Sequence, residues 1–180
     1  FKARTDTFIT LRWDKNTSVD GYVIQQYKSG AWTTIKTIEG NATTSYKVTG
    51  LKASTTYNFR IRGYKLDGTK KLYGSYVSAK IKSLPSIVKG FKVASRGKYT
   101  VNLKWNKNTS ATGYVIEQYK GGKWVEVKRI TKQSTTSCKI EGLKKGTSYK
   151  FRIKAYKASA DKTKKWYGKT SAIAVKTLSK

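Results

Sequence analysis

Tyr27 and Trp32 flank the dipeptide Ser29-Gly30, and Tyr119 and Trp124 flank Gly121-Gly122. Two-residue turns of this composition close β-hairpins, so residues whose numbers sum to 59 in the first case and 243 in the second are expected to lie opposite one another. Tyr27 then faces Trp32, and Tyr119 faces Trp124. Flat rings of this kind stack on sugar faces or nucleobases. Strand parity places Arg60, Arg62 and Tyr64, together with Lys80 and Lys82, on the same outer sheet face as the first pair. Lys150, Arg152, Lys154, Tyr156 and Lys176 accompany the second pair in the same way. Guanidinium and ammonium groups hold anionic oxygens, so each set combines stacking chemistry with anion-holding chemistry. A plainer role stays open: a cross-strand Tyr/Trp pair strengthens a hairpin by up to about 1 kcal/mol, with arginine stems lying over it as solubilising cover.

The same register sets Glu117 opposite Glu126, where like charges repel unless cations intervene. Paired carboxylates can hydrolyse glycosides or hold a metal. With Arg152 and Lys154 expected on the adjacent strand, the pair reads instead as a charge-compensated surface feature. No other constellation suggests catalysis. The chain has no His, and no nucleophile and base can be paired. Neither a glycine-rich phosphate loop nor a zinc-ligand cluster is present, so no catalytic residue, cofactor or metal is expected. Cys138 stands alone and aligns with Tyr46, at a position expected to face inward. That leaves no disulfide framework.

Lys and Arg number 39 against nine acidic residues, a formal charge of +30, yet 37% of residues are hydrophobic and 13% aromatic, which argues for a basic but folded chain. Residues 1–84 carry 15 cationic and five acidic side chains, net +10; residues 85–180 carry 24 and four, net +20. The segment from Lys157 to Trp166 gathers Lys162, Lys164 and Lys165 at one expected loop tip, beside Trp166. Such density attracts polyanions, with an attraction that weakens as salt rises. It also serves simply to keep a protein soluble. No apolar run approaches the roughly 20 residues of a membrane-spanning helix, so membrane insertion is not expected.

Strands must position these residues. Phe8 to Trp13, Thr100 to Trp105, Tyr57 to Arg62 and Tyr149 to Lys154 all alternate with period two, and no segment carries a helical stripe. Trp13 to Ser18 and Gly21 to Ile24 recur as Trp105 to Ser110 and Gly113 to Ile116, an offset of 92 residues. A period this long makes each copy a self-sufficient domain. The expected architecture is all-β: two consecutive seven-stranded antiparallel β-sandwiches, residues 1–84 and 85–180, arranged end to end across a segment stiffened by Pro85. Phe1 aligns with Val93, so the first copy is expected to begin within its first strand and to fray there.

Trp13 and Trp105, the Gly-Tyr at Tyr22 and Tyr114, Gly50-Leu51 and Gly142-Leu143, and the Tyr six residues later (Tyr57, Tyr149) together resemble fibronectin type III domains, twice over the whole chain. The resemblance implies that Tyr57 and Tyr149 form tyrosine corners. Finer cues, including Tyr73-Gly74 and Tyr167-Gly168 before the last strand, resemble copies in surface and secreted proteins of Gram-positive bacteria. That likeness implies a non-catalytic spacer or accessory module, extracellular or on a bacterial surface, within a longer protein whose other domains flank it. Its expected partner is an anionic cell-wall polymer or polysaccharide, bound weakly and electrostatically by a monomer. A dedicated carbohydrate-binding module using the Tyr/Trp pairs is the alternative, and non-specific nucleic-acid binding a third reading. Fold alone does not choose among them.

Overall fold

Alternation of Ile9, Leu11 and of Val101, Leu103 with polar neighbours gives strands that are dry on one face only, and such strands must pair face to face to bury it. A computed structural model describes residues 3–180; the fraying expected at Phe1 lies outside the described residues. The chain divides into two units, Phe1–Ser83 and Leu84–Lys180. Strands β1 (Ala3–Arg4), β2 (Ile9–Arg12), β3 (Gly21–Lys28), β4 (Ala31–Glu39), β5 (Ser45–Val48), β6 (Thr56–Asp67), β7 (Lys70–Tyr73) and β8 (Val77–Lys82) belong to the first. The second holds β9 (Lys92–Arg96), β10 (Val101–Lys104), β11 (Gly113–Lys120), β12 (Lys123–Ile130), β13 (Ser137–Ile140), β14 (Ser148–Ala158) and β15 (Lys165–Lys176). No helix occurs among the described residues.

Each unit is two antiparallel sheets. In the first, β1-β2-β5 covers β4-β3-β6, whose far edge is completed by β7 and then β8, both paired with β6. In the second, β9-β10-β13 covers β12-β11-β14-β15. The last strand runs unbroken in the second unit, so Tyr167-Gly168 lies inside it, not before it as expected. In the first unit that strand is interrupted at residues 74–76.

Between the sheets lie Ile9, Leu11, Tyr22, Ile24, Ile38, Val48, Leu51, Phe59 and Ile81, and in the second unit Val101, Leu103, Trp105, Tyr114, Ile116, Ile130, Phe151 and Ile153. The two tyrosine corners form as implied: the Lys52 and Lys144 amides donate to the Tyr57 and Tyr149 hydroxyls, each at 2.7 Å. Cys138 packs against the second core. Desolvation there pushes its thiol pKa up to about 11, despite the opposing field of Lys128, which leaves it a poor nucleophile.

Candidate cationic face

The two hairpin turns set the geometry. Ser29 and Gly30 adopt φ of 48° and 84°, Gly121 and Gly122 of 53° and 78°. Two successive left-handed residues make the turn whose twist matches the flanking strands, and the register follows from it. Tyr27 pairs with Trp32 and Tyr119 with Trp124, as expected. Their rings meet at centroid distances of 5.4 and 5.2 Å. Further along the hairpin the register shifts by a residue, between Ile24 and Gln25 and between Ile116 and Glu117. This bulge on β4 and β12 lets both Ile35 and Ile38, and both Val127 and Ile130, reach the core.

On the outer face of the first unit's larger sheet, Arg60 pairs with Gln25 and Arg62 with Val23, while Lys80 and Lys82 stand opposite Asn58 and Thr56. The residues expected together are therefore together. Their arrangement is more specific than a basic ladder beside an aromatic pair. The Arg60 guanidinium carbon lies 4.3 Å from the Trp32 ring centroid and 3.8 Å from that of Tyr76; Arg62 lies 4.5 Å from Tyr76 and 3.6 Å from Tyr73. Rings and guanidinium groups alternate in the order Trp32, Arg60, Tyr76, Arg62, Tyr73. Each contact is attractive because the cation meets the negative face of the ring. Stacking also fixes the long arginine side chains, which would otherwise lose rotamer entropy on meeting a ligand. Arg60 Nε donates to Gln25 Oε1 at 2.8 Å, and Gln25 Nε2 donates to Thr34 Oγ1 at 3.1 Å. Arg62 Nε is buried without a hydrogen-bond partner. Beneath this layer the outward-facing Val23 is itself buried.

The second unit repeats the layout with one charge changed. Glu117 occupies the position of Gln25; it accepts from Arg152 Nε at 2.5 Å and from Lys154 Nζ at 2.7 Å. Glu117 does face Glu126, and the repulsion is removed from both sides, since Arg129 grips Glu126 through Nε at 2.9 Å and Nη2 at 2.5 Å. The charge-compensated reading stands, with Arg129 as a cation the sequence did not assign. Burial pushes the Glu117 carboxyl up, but the hydrogen bonds and charges of Arg152 and Lys154 outweigh it and hold the group below the usual carboxylate range. Arg152 sits 4.5 Å from the Trp124 centroid and Lys154 5.0 Å from Tyr167. The counterpart of Tyr76 is Thr170, so the stack is shorter. Lys150 and Lys176 are exposed on the same face.

Tyr64 and Tyr156 need correction as ligand candidates. Both lie in the expected register but are buried, 2% and 3% exposed. Each ring fills the slot left by the missing side chain of its cross-strand glycine: a Cβ on Gly21 would stand 2.5 Å from Tyr64 Oη, and one on Gly113 would stand 2.8 Å from Tyr156 Oη. Tyr27 and Tyr119 stay accessible, at 45% and 44%. Trp32 and Trp124 are half-buried, and the arginines occupy a face of each indole.

At the hairpin joining β14 to β15, Lys162, Lys164 and Lys165 are exposed and Trp166 is half-buried opposite Lys157. Asp161 sits among them. Hydrogen bonds from Ser159 and Thr163 hold its carboxyl below the usual range.

The first unit also has a cleft of about 440 Å³ whose lining mixes Leu11, Trp13 and Phe59 with Asp14, Arg60 and Arg62. In the second unit Val88 and Phe91 join the core. Among the described residues no group of three or more His, Cys, Asp or Glu could hold a metal.

The fibronectin type III domain family matches residues 1–78 and 85–167. The chain belongs to this family. It is 29% identical over 164 residues to rat (Rattus norvegicus) neogenin, covering 85% of this chain and 12% of that protein. It is 30% identical over 122 residues to mouse (Mus musculus) fibronectin type-III domain-containing protein 3A, covering 66% of this chain and 10% of that protein. The chain thus spans about a tenth of the length of these relatives. A two-domain fibronectin type III segment of chicken tenascin matches its fold with a TM-score of 0.56 at 22% identity, covering 98% of this chain and 95% of the tenascin segment. Type III domains commonly serve as spacers or accessory modules, and the relatives are mostly extracellular or cell-surface proteins. The family is typically non-catalytic.

Proposed function

We propose that this tandem fibronectin type III chain is a non-catalytic spacer that also adheres, weakly and electrostatically, to anionic polymer at the cell exterior. The finer sequence cues support a Gram-positive bacterial surface protein, in which acidic wall polymers and polysaccharides are the available polyanions; the relatives named above are animal proteins. The observation that carries the reading is the balance between charge and stacking on the outer sheet faces. Exposed lysines (Lys80, Lys150, Lys176) and the lysine-rich hairpin tip offer cations, whereas Arg60 and Arg152 cover indole faces that a sugar-stacking module would need open. Such adhesion adds long-range attraction to a strut whose main work is to separate its neighbours.

The test is retention of the whole chain on wall material, cellulose, starch and nucleic acid across a salt series. Binding to anionic wall material that collapses between about 50 and 500 mM salt, where the screening length falls from roughly 14 to 4 Å, supports the proposal. Retention on neutral polysaccharide at high salt would establish the carbohydrate-binding alternative instead. Preference for nucleic acid over other polyanions of equal charge density would establish the third reading.

A further inference from the structure

The geometry points to the first unit, and not the more basic second one, as the bearer of a carboxylate-binding site: the Arg60/Arg62 stack takes the carboxylate groups of a linear acidic polysaccharide. This inference rests on the proposed polyanion adhesion and assigns it to one place and one ligand chemistry.

The two units supply the comparison. At equivalent positions stand Gln25 with Arg60 and Arg62, and Glu117 with Arg152 and Lys154. In the second unit the protein's own carboxylate is already bound, at 2.5 Å by Arg152 and 2.7 Å by Lys154. Glu117 therefore displays what this pair of cations accepts, and it occupies their donors and cancels one of their two charges. In the first unit the amide of Gln25 satisfies one N–H of Arg60 and brings no charge. Neither Arg60 nor Arg62 pairs with a carboxylate among the described residues. Two positive charges remain, about 7 Å apart along the strand and held between three rings.

A guanidinium offers two parallel N–H donors, and a planar carboxylate offers two oxygens at matching separation. Pre-stacked arginines meet it with little entropy left to lose. The ring faces that arginine covers are closed to a neutral sugar, although Tyr73 at the end of the stack stays 47% exposed, and the guanidinium groups offer the charge that an acid group needs. Net charge alone would favour the second unit, +20 against +10. Local compensation reverses that order.

Two isosteric exchanges in the full chain test this: Gln25→Glu places a competing carboxylate in the first unit, and Glu117→Gln releases the cations of the second. Lys47→Gln, on the other sheet of the first unit, changes net charge by the same amount as Gln25→Glu. Binding to sodium polygalacturonate is measured by calorimetry at fixed low salt, with polyphosphate and dextran in parallel. The expected result is a loss of about tenfold in polygalacturonate affinity for Gln25→Glu, a change of less than about twofold for Lys47→Gln, and a gain in binding sites for Glu117→Gln. Equal effects of Gln25→Glu and Lys47→Gln would overturn the site while leaving general polyanion adhesion standing. A site-specific loss seen with polyphosphate and not with polygalacturonate would overturn the carboxylate assignment. No binding of the unaltered chain to either polyanion would remove both this inference and the proposed adhesion.

Discussion

Glu117→Gln should destabilise the second unit at neutral pH and have no such effect in strong acid. The Glu117 side chain is 10% exposed and the Arg152 and Lys154 side chains are 26% and 21% exposed, so the group is well shielded but not fully desolvated. Two hydrogen bonds to a charged group contribute about 1.5–3 kcal/mol each before the cost of burying the carboxylate is subtracted, which leaves a net of about 2 kcal/mol. The amide keeps one contact, as Gln25 keeps one to Arg60, so the exchange should cost about 1–2 kcal/mol at pH 7. With a urea dependence of about 2 kcal/mol per molar, the midpoint moves down by roughly 0.5–1 M. The folded carboxyl lies below its ordinary value, so the unfolded chain takes up the proton first as pH falls. The stabilisation is complete above the unfolded carboxylate pKa of about 4.3 and is lost as pH drops through the lower folded one. Urea unfolding of parent and variant at pH 7 and at about pH 2 measures this. A gap of the same size at both pH values would refute the electrostatic account and point to packing.

Packing, the tyrosine corner and the buried thiol can be probed in the same way. Gly21→Ala would place a Cβ 2.2 Å from the Ile38 carbonyl oxygen and 2.5 Å from Tyr64 Oη, so urea unfolding should show a loss of about 2–4 kcal/mol, and a loss under about 0.5 kcal/mol would deny the slot its role. Tyr149→Phe removes the acceptor of the Lys144 amide and should cost about 1 kcal/mol by the same assay. Cys138, with its thiol pushed from 9.0 to about 11, should react with a thiol reagent at pH 8 about 100-fold more slowly in the native protein than in urea, and comparable rates would show that the side chain is not held inside.

The hairpin register was legible because a two-residue turn fixes which residues face each other, and Tyr27/Trp32, Tyr119/Trp124 and Glu117/Glu126 all follow from it. The bulge beyond Gln25 and Glu117 was not, since an extra residue leaves no compositional mark and Ile35 and Ile38 both suit the core. Parity assigned the correct face to Tyr64 and Tyr156 but could not give their burial. The missing signal was available: the same register sets each of them opposite a glycine, whose absent side chain leaves room for a ring. Period two does not place Tyr73 and Tyr76 on this face, because they are three residues apart and reach it together only through the interruption at residues 74–76. Arg129 partners Glu126 from three residues along the same bulged strand, which strict period-two alternation places on the opposite face.

Titration of the isotope-labelled chain with short polygalacturonate oligomers, followed by NMR of backbone amides, arginine Nε–H and indole N–H groups, tests the assignment of adhesion most directly. Saturable shifts are expected at Arg60, Arg62, Trp32 and Tyr76, with the Trp124 surroundings unmoved until Glu117 is replaced by Gln. Shifts centred on the lysine-rich hairpin tip at Lys162 to Lys165, or spread evenly over both units, would contradict it.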